Sequence, residues 1–284
     1  MISGLILDVD GVLVGGKPGF NHPQPNTEVM ETLKKLRKSG MVVSLCTGKG
    51  TFAIEEIVRS AALDNLHIGD GGAVVIDYLN NTVIDQHILK TAQVVELLDI
   101  LLTTKTYVEL YTKDGYYIQK EMVSDITTKH TPILQKEPQV VDSLTTVVPM
   151  LEIVKIMPVA KDEADKQRII TLFKPFEKNL TLQWGVHPTA LPYLFGIVTE
   201  KGISKEQAAR VISNYTGIYL TEILGIGDGL SDWGFMEICG YAGAMGNASD
   251  ALKDKVRTKG SSGYVGASVD ENGILDILHH FEVI

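Results

Sequence analysis

Two periods govern the apolar and polar positions of this chain. Leu5, Ile6 and Leu7 form an unbroken apolar run suited to a strand covered on both faces, and it stops at the carboxylates Asp8 and Asp10. Alternation of period two puts both carboxylates on one side if extension holds as far as Asp10, and Gly11 then permits a sharp turn. After a polar loop at Pro23 and Pro25, a helical pattern runs from Asn26 or Thr27 to about Ser39. Val29, Met30, Leu33 and Leu36 form its apolar face, and Gly40 ends it. A second apolar strand over 41–45, the break Thr47-Gly48-Lys49-Gly50 and an amphipathic segment over 52–62 continue a β-α-β-α rhythm. That rhythm predicts a parallel sheet with helical crossovers.

The texture changes after 67–76, which reads as a strand, a glycine turn and a returning strand. A helix over 94–102, strands over 107–111 and 116–119 joined by Lys113-Asp114-Gly115, a strand over 151–157, a helix over 163–176 and a strand over 180–184 follow. The Asp-Gly pair between β-type runs is a hairpin signal. The first rhythm then resumes with a helix over 203–213 opened by Ser204-Lys205, a strand over 222–226, and the loop Gly227-Asp228-Gly229-Leu230-Ser231-Asp232 leading into a helix. A small-residue strand over 241–245 precedes Gly246-Asn247, and helices over 250–256 and 274–281 close the pattern. The expected organisation is an α/β core in two pieces, 1–78 and 188–284, with a mixed α/β domain at 79–187 inserted between them.

Length and composition fit this reading: 284 residues, 44% hydrophobic and 21% charged, are enough for two cores in an ordinary globular protein. A formal net charge of -9 provides no basic footprint for nucleic acid or an anionic membrane, so an anionic substrate must be drawn in locally. Cys46 and Cys239 are the only cysteines, too few and too far apart for a disulfide framework or a zinc site, and both read as small buried hydrophobes. No apolar run reaches the length of a membrane span, and the first segment carries two acids and no basic leader. A cytoplasmic protein is expected.

Polar residues recur where the predicted core strands end or core helices begin: Asp8 and Asp10, Thr47, Lys205, and Asp228 with Asp232. Strand ends of a parallel sheet converge on one edge, where ligands of such sheets bind. Several carboxylates at one point need a cation, and oxygen ligation without cysteine favours magnesium. A hydroxyl, a lysine and free backbone N–H groups suit phosphoryl oxygens. Asp232 also reads as a helix cap, Asn247 as a site contact or a turn, and Ser44 as structural.

These stretches resemble the four motifs of the haloacid dehalogenase superfamily, in that family's order: DVDGV at 8–12, LCTG at 45–48, EKGISKEQAA at 200–209 and GDGLSD at 227–232. The insertion is similar in position and length to the C2 cap of Cof-like (subclass IIB) sugar phosphatases, and GDGGAVV and GYVGASVDENGI also resemble Cof-family segments. The resemblance implies a Rossmann-like core with a parallel sheet and an α/β C2-type cap. It further implies a magnesium-dependent phosphatase for a small phosphate ester, most simply a sugar phosphate. Asp8 would be the nucleophile and Asp10 the acid and base. Magnesium would be held by Asp8, the Asp10 carbonyl, Asp228 and Asp232. Thr47, Gly48, Lys205 and Asn247 would contact the phosphoryl group. A phosphosugar mutase of the same fold, and a sugar-phosphate-binding protein without turnover, are the alternatives.

The chain departs from the family pattern at Lys49, where Arg is common, at Asp70-Gly71, often Glu-Asn or Gly-Asn, and at Ser231, usually Asn. In the cap, Lys113, Lys129, His130 and His187 are candidates for substrate contact.

Overall fold

A computed structural model describes residues 2–284. Its first segment runs β1 (Gly4–Leu7), α1 (Thr27–Lys38), β2 (Val42–Leu45), α2 (Glu55–Ser60), β3 (His67–Gly69), β4 (Val74–Asp77) and β5 (Thr82–Gln86). The middle comprises α3 (Thr91–Thr103), β6 (Tyr107–Thr112), β7 (Gly115–Gln119), α4 (Asp125–Leu134), β8 (Gln139–Val141), α5 (Leu144–Val147), β9 (Lys155–Ala160), α6 (Glu163–Phe173), β10 (Leu180–Val186) and β11 (Leu194–Glu200). The last part comprises α7 (Lys205–Thr216), β12 (Ile223–Gly227), α8 (Trp233–Ile238), β13 (Tyr241–Ala244), α9 (Asp250–Arg257), β14 (Gly263–Val265) and α10 (Gly273–His280).

The core is a parallel five-stranded sheet in the order β14-β13-β12-β1-β2. The apolar run that opens the chain is covered on both faces, as expected. Leu5 and Leu7 pack with Val29 and Leu33 of α1 and with Ile274 and Ile277 of α10. Ile6 faces the other way, toward Ile212 of α7, Phe235 of α8 and Leu252 of α9. Period two therefore splits one hydrophobic run between two helical layers. The antiparallel sheet β3-β4-β5 joins beyond β2 through a bridge between Cys46 and Ile68.

The cap is a six-stranded sheet in the order β10-β11-β9-β6-β7-β8, antiparallel except between β7 and β8. One face carries Val108, Leu110, Ile156 and Val198 against α3 and α6. The opposite face, with Tyr107, Tyr111, Met157 and Phe195, joins α4 and the core in one apolar cluster.

Three expectations change. The boundary at 187/188 falls between the paired strands β10 and β11, because β11 hydrogen-bonds to β10 and β9 and belongs to the cap sheet. Conversely β5, expected in the insertion, pairs with β4. The strand expected at 151–157 is displaced to β9, since the pairing with β6 begins at Lys155. Both cysteines are buried and free. No helix among the described residues is long and apolar enough to cross a membrane.

Candidate active site

Neighbouring strands of the core sheet each deliver a polar residue to the same edge. Thr47 follows β2, Asp8 follows β1, Asp228 follows β12 and Asn247 lies just beyond β13. The chain crosses from β1 to β2 on one side and returns to β12 on the other, so a crevice opens at this topological switch point. Extended pairing continues one residue past β1, with the Asp8 N–H donating to Ile226 O at 2.9 Å. Gly11, at φ +79°, turns the chain there, and a Cβ at that position would overlap the Asp228 carboxylate.

Lys205 is the first residue of α7, whose N-cap Ser204 accepts from the Gln207 N–H at 3.2 Å. A cation in a first turn opposes the helix dipole. Two carboxylates compensate: Nζ donates to Asp8 Oδ1 at 2.8 Å and to Asp232 Oδ1 at 2.6 Å. Burial alone would lower the Lys205 pKa, but Asp232 and then Asp8 carry it well above the ordinary value. Asp232 is fully buried, and its Oδ2 accepts the N–H groups of Asp228 at 3.1 Å and Gly229 at 3.0 Å. It thus anchors the lysine and shapes the Asp228 loop at once. Asn247 Nδ2 donates to Gly11 O at 2.9 Å while its Oδ1 accepts from Val269 N–H at 2.8 Å, which ties the Asp10-Gly11 turn to the C-terminal segment.

The donor set suits magnesium. One carboxylate oxygen from each of Asp8, Asp228 and Asp232 lies within 4.8 Å of the others, and all three donors are hard oxygens. Burial, and next the mutual repulsion of the carboxylates, hold both Asp8 and Asp228 above the usual carboxylate range even with Lys205 beside them. A divalent cation is what such an under-compensated set accommodates.

Asp10 is held differently. Burial alone would raise its pKa, but Lys49 and His187 override this and keep it well below the usual carboxylate range. Lys49 Nζ lies 2.6 Å from Oδ1, off the hydrogen-bonding direction, and His187 Nε2 lies at 3.4 Å. Thr47 is buried and its Oγ1 accepts from the Lys49 N–H at 3.0 Å. The Gly48 carbonyl accepts from Lys155 Nζ at 2.9 Å, and Ile197 of the cap closes over the Gly48 Cα so tightly that a Cβ there would meet Ile197 Cδ1 at 2.7 Å.

Core and cap enclose a cavity of about 580 Å³ bordered by Asp8, Asp10, Thr47, Lys205, Asp228 and Asn247. The core residues expected from the sequence therefore meet at one place, although Asp232 stands behind its wall. Of the cap candidates, His130 and His187 border the cavity. Lys113 is paired with Asp114 on the hairpin turn, and Lys129 reaches Asp125 and the Leu191 carbonyl, so neither contributes to this site. Ser44 is buried against Asn65, which is a structural position.

Sequence reasoning missed the Asp70–Lys155 contact between core and cap. Both side chains are wholly buried, Nζ lies 2.9 Å from Asp70 Oδ1, and Asp70 Oδ2 accepts the Thr51 N–H at 2.9 Å and hydroxyl at 2.5 Å. The signal was faint: Asp70 stood out only as a departure from the family pattern.

A family model described as haloacid dehalogenase-like hydrolase matches residues 5–278. Among similar proteins, 5-amino-6-(5-phospho-D-ribitylamino)uracil phosphatase YwtE of Bacillus subtilis (strain 168) is 25% identical over 298 residues, covering 95% of this chain and 94% of that protein. Pyridoxal phosphate phosphatase YbhA of Escherichia coli (strain K12) is 23% identical over 254 residues, covering 88% and 89%. Among solved structures, a haloacid dehalogenase-like hydrolase from Bacteroides thetaiotaomicron superposes with a TM-score of 0.85 at 18% identity, covering 99% of this chain and 100% of that one. A sugar phosphatase of subclass IIB of the same superfamily does so at 0.79 and 21% identity, covering 99% and 100%.

Proposed function

The chain belongs to the haloacid dehalogenase-like hydrolases, and from that premise we propose that it is a magnesium-dependent phosphatase of the subclass IIB type that hydrolyses a small phosphorylated metabolite. The observation that carries this reading is the constellation of buried Asp8 and Lys205 with half-buried Asp228 at the sheet edge, closed over by a cap. Relatives that share nearly the whole length are named for small phosphomonoesters. A sugar phosphate is the substrate expected from the sequence.

An Asp8 carboxylate oxygen attacks phosphorus, the bond from phosphorus to the ester oxygen breaks, and Asp10 gives the departing oxygen a proton. Asp10 then takes a proton from water, which attacks the aspartyl-phosphate and releases orthophosphate and free Asp8. Lys205 holds Asp8 in place and offsets charge on the phosphoryl oxygens, for which the Thr47 hydroxyl and the Lys49 ammonium are placed nearby. Lys49 keeps Asp10 ionised in this structure, the form that accepts a proton. Phosphate oxygens compete for that lysine when an ester enters, which frees Asp10 to carry a proton. Asp8, the Asp10 carbonyl and Asp228 would hold magnesium, with Asp232 behind them. When bound, the ion neutralises negative charge between the carboxylate and the phosphate.

Release of inorganic phosphate from a panel of phosphate esters, with magnesium or with chelator, tests this for wild type and Asp8→Asn. The expected result is magnesium-dependent release that falls about a thousandfold or more in the variant, the size typical of nucleophile removal. Undiminished release by Asp8→Asn would overturn the mechanism. Isomerised sugar phosphate without free phosphate would instead establish a mutase, and ligand binding without turnover a binding protein.

A further inference from the structure

The cap side of the cavity is built from two elements. Met157 of β9, Phe195 and Ile197 of β11 and Gln183 of β10 present alternate positions of one sheet face, and α4 adds Ile133 and His130. Phe195 and Met157 belong to the apolar cluster shared with the core, and the Phe195 ring lies 4.5 Å from the His130 ring, tilted by 34°. The wall is therefore apolar and partly aromatic.

Its polar points are few. His187 is occupied: Nδ1 accepts from the Thr189 N–H at 3.3 Å and Nε2 faces Asp10. His130 is different. Its Nδ1 lies 3.0 Å from Glu109, a fully buried carboxylate that also accepts from the Tyr111 hydroxyl at 2.6 Å and the Tyr107 hydroxyl at 3.0 Å. Three donors hold Glu109 ionised against the burial that would raise its pKa. A carboxylate can only accept, so the shared proton sits on Nδ1 and the ring is locked in place. Nε2 makes no hydrogen bond among the described residues, and the ring borders the cavity. The cap thus offers one oriented imidazole and the Gln183 amide in an otherwise apolar wall. A hexose packed on this cap wall would set several hydroxyls against side chains that cannot pair with them, and each unpaired hydroxyl weakens binding.

Building on the phosphatase reading above, we propose that the non-phosphate part of the substrate is a planar, largely apolar ring with a polar substituent, packed against Phe195 and Met157 and read by His130. The phosphate end is set by the core and the ring end by the cap, so His130 and Phe195 determine specificity without touching the reacting atoms.

The test compares kcat/KM for pyridoxal phosphate, a heteroaromatic phosphomonoester with a ring hydroxyl, against glucose phosphate, both with magnesium. Wild type should favour pyridoxal phosphate about tenfold or more, and His130→Gln and Phe195→Ala should each reduce that preference about tenfold. Inhibition by inorganic phosphate should stay within about twofold in both variants, since that ion needs the core alone. Equal or better cleavage of glucose phosphate by wild type, which needs no variant to fold, would overturn the proposal and leave the phosphatase reading standing. So would variants that lose both substrates in equal proportion with unchanged thermal midpoints. Absence of release from every ester would sink the phosphatase reading instead.

Discussion

At the scale of residues, the site is a problem of buried charge solved by saturation of hydrogen bonds. Lys205 is tolerated in a buried first turn because Asp8 and Asp232 flank it, and Asp232 is tolerated at zero exposure because backbone N–H groups occupy its other oxygen. His67 shows the same economy without charge. Its Nδ1 accepts from the Leu45 N–H at 3.1 Å, and its Nε2 reaches the Leu63 carbonyl at 2.9 Å, so the neutral imidazole ties β2 to β3. Burial, the largest influence, pushes its pKa down to about 4. Between that value and the ordinary one the unfolded chain binds the extra proton, so this contribution is complete above about pH 6.5 and is lost as pH falls toward 4. The linkage amounts to about 2 kcal/mol between pH 7 and pH 5. Urea unfolding at these two pH values should show wild type losing about that much more stability than His67→Gln. Comparison with the variant removes the opposing slopes of Asp8 and Asp228, and parallel losses in the two proteins would refute the assignment.

At the scale of elements, cap and core are locked by a buried ion pair between β9 and the turn after β3. Lys155 touches Asp70, the Gly48 carbonyl and, at 3.8 Å from its centroid, the Tyr111 ring. Burial lowers the Lys155 pKa, and Asp70 counters it. Removal of one partner strands a charge, so Lys155→Met should destabilise the protein by about 3–5 kcal/mol, whereas Lys155→Met with Asp70→Asn should recover most of that loss. Denaturant titration measures both; equal destabilisation in the single and double variants would show that the pair does not hold the cap. Two elements escaped sequence reading, each for its own reason. Helix α4 has the sequence DITTKHTPIL, rich in β-branched residues with Pro132 inside, so its propensity is poor and its stability comes from packing beneath the cap sheet. Strand β11 was overlooked because LFGIVTE alternates weakly when both of its faces are covered.

At the scale of the whole molecule, a protein with net charge -9 places several of its carboxylates at one sheet edge and closes a cap over them. A cation that binds only the folded state adds stability in proportion to the logarithm of its concentration, about 2.7 kcal/mol at a hundredfold excess over its dissociation constant. Saturating magnesium should therefore raise the thermal midpoint of wild type, chelator should abolish the rise, and Asp228→Asn should show little of it. A rise of the same size in Asp228→Asn would place the ion elsewhere.

Sequence alone determined the parallel core and pointed Asp8, Thr47 and Asp228 to one edge, because both follow from local pattern, whereas the tertiary structure brought Lys205 and Asn247 to that edge. A run covered on both faces is continuously apolar, and the ends of parallel strands must meet at one edge. Tertiary structure decided the rest: the transfer of β11 to the cap, the Lys49 and His187 contacts that hold Asp10 ionised, the Asp70–Lys155 lock, and the apolar wall around His130. Each of these joins residues far apart in the chain. Their chemistry arises from distance and burial, which one-dimensional periodicity does not encode, and a buried lysine or histidine reads in sequence like any solvated one.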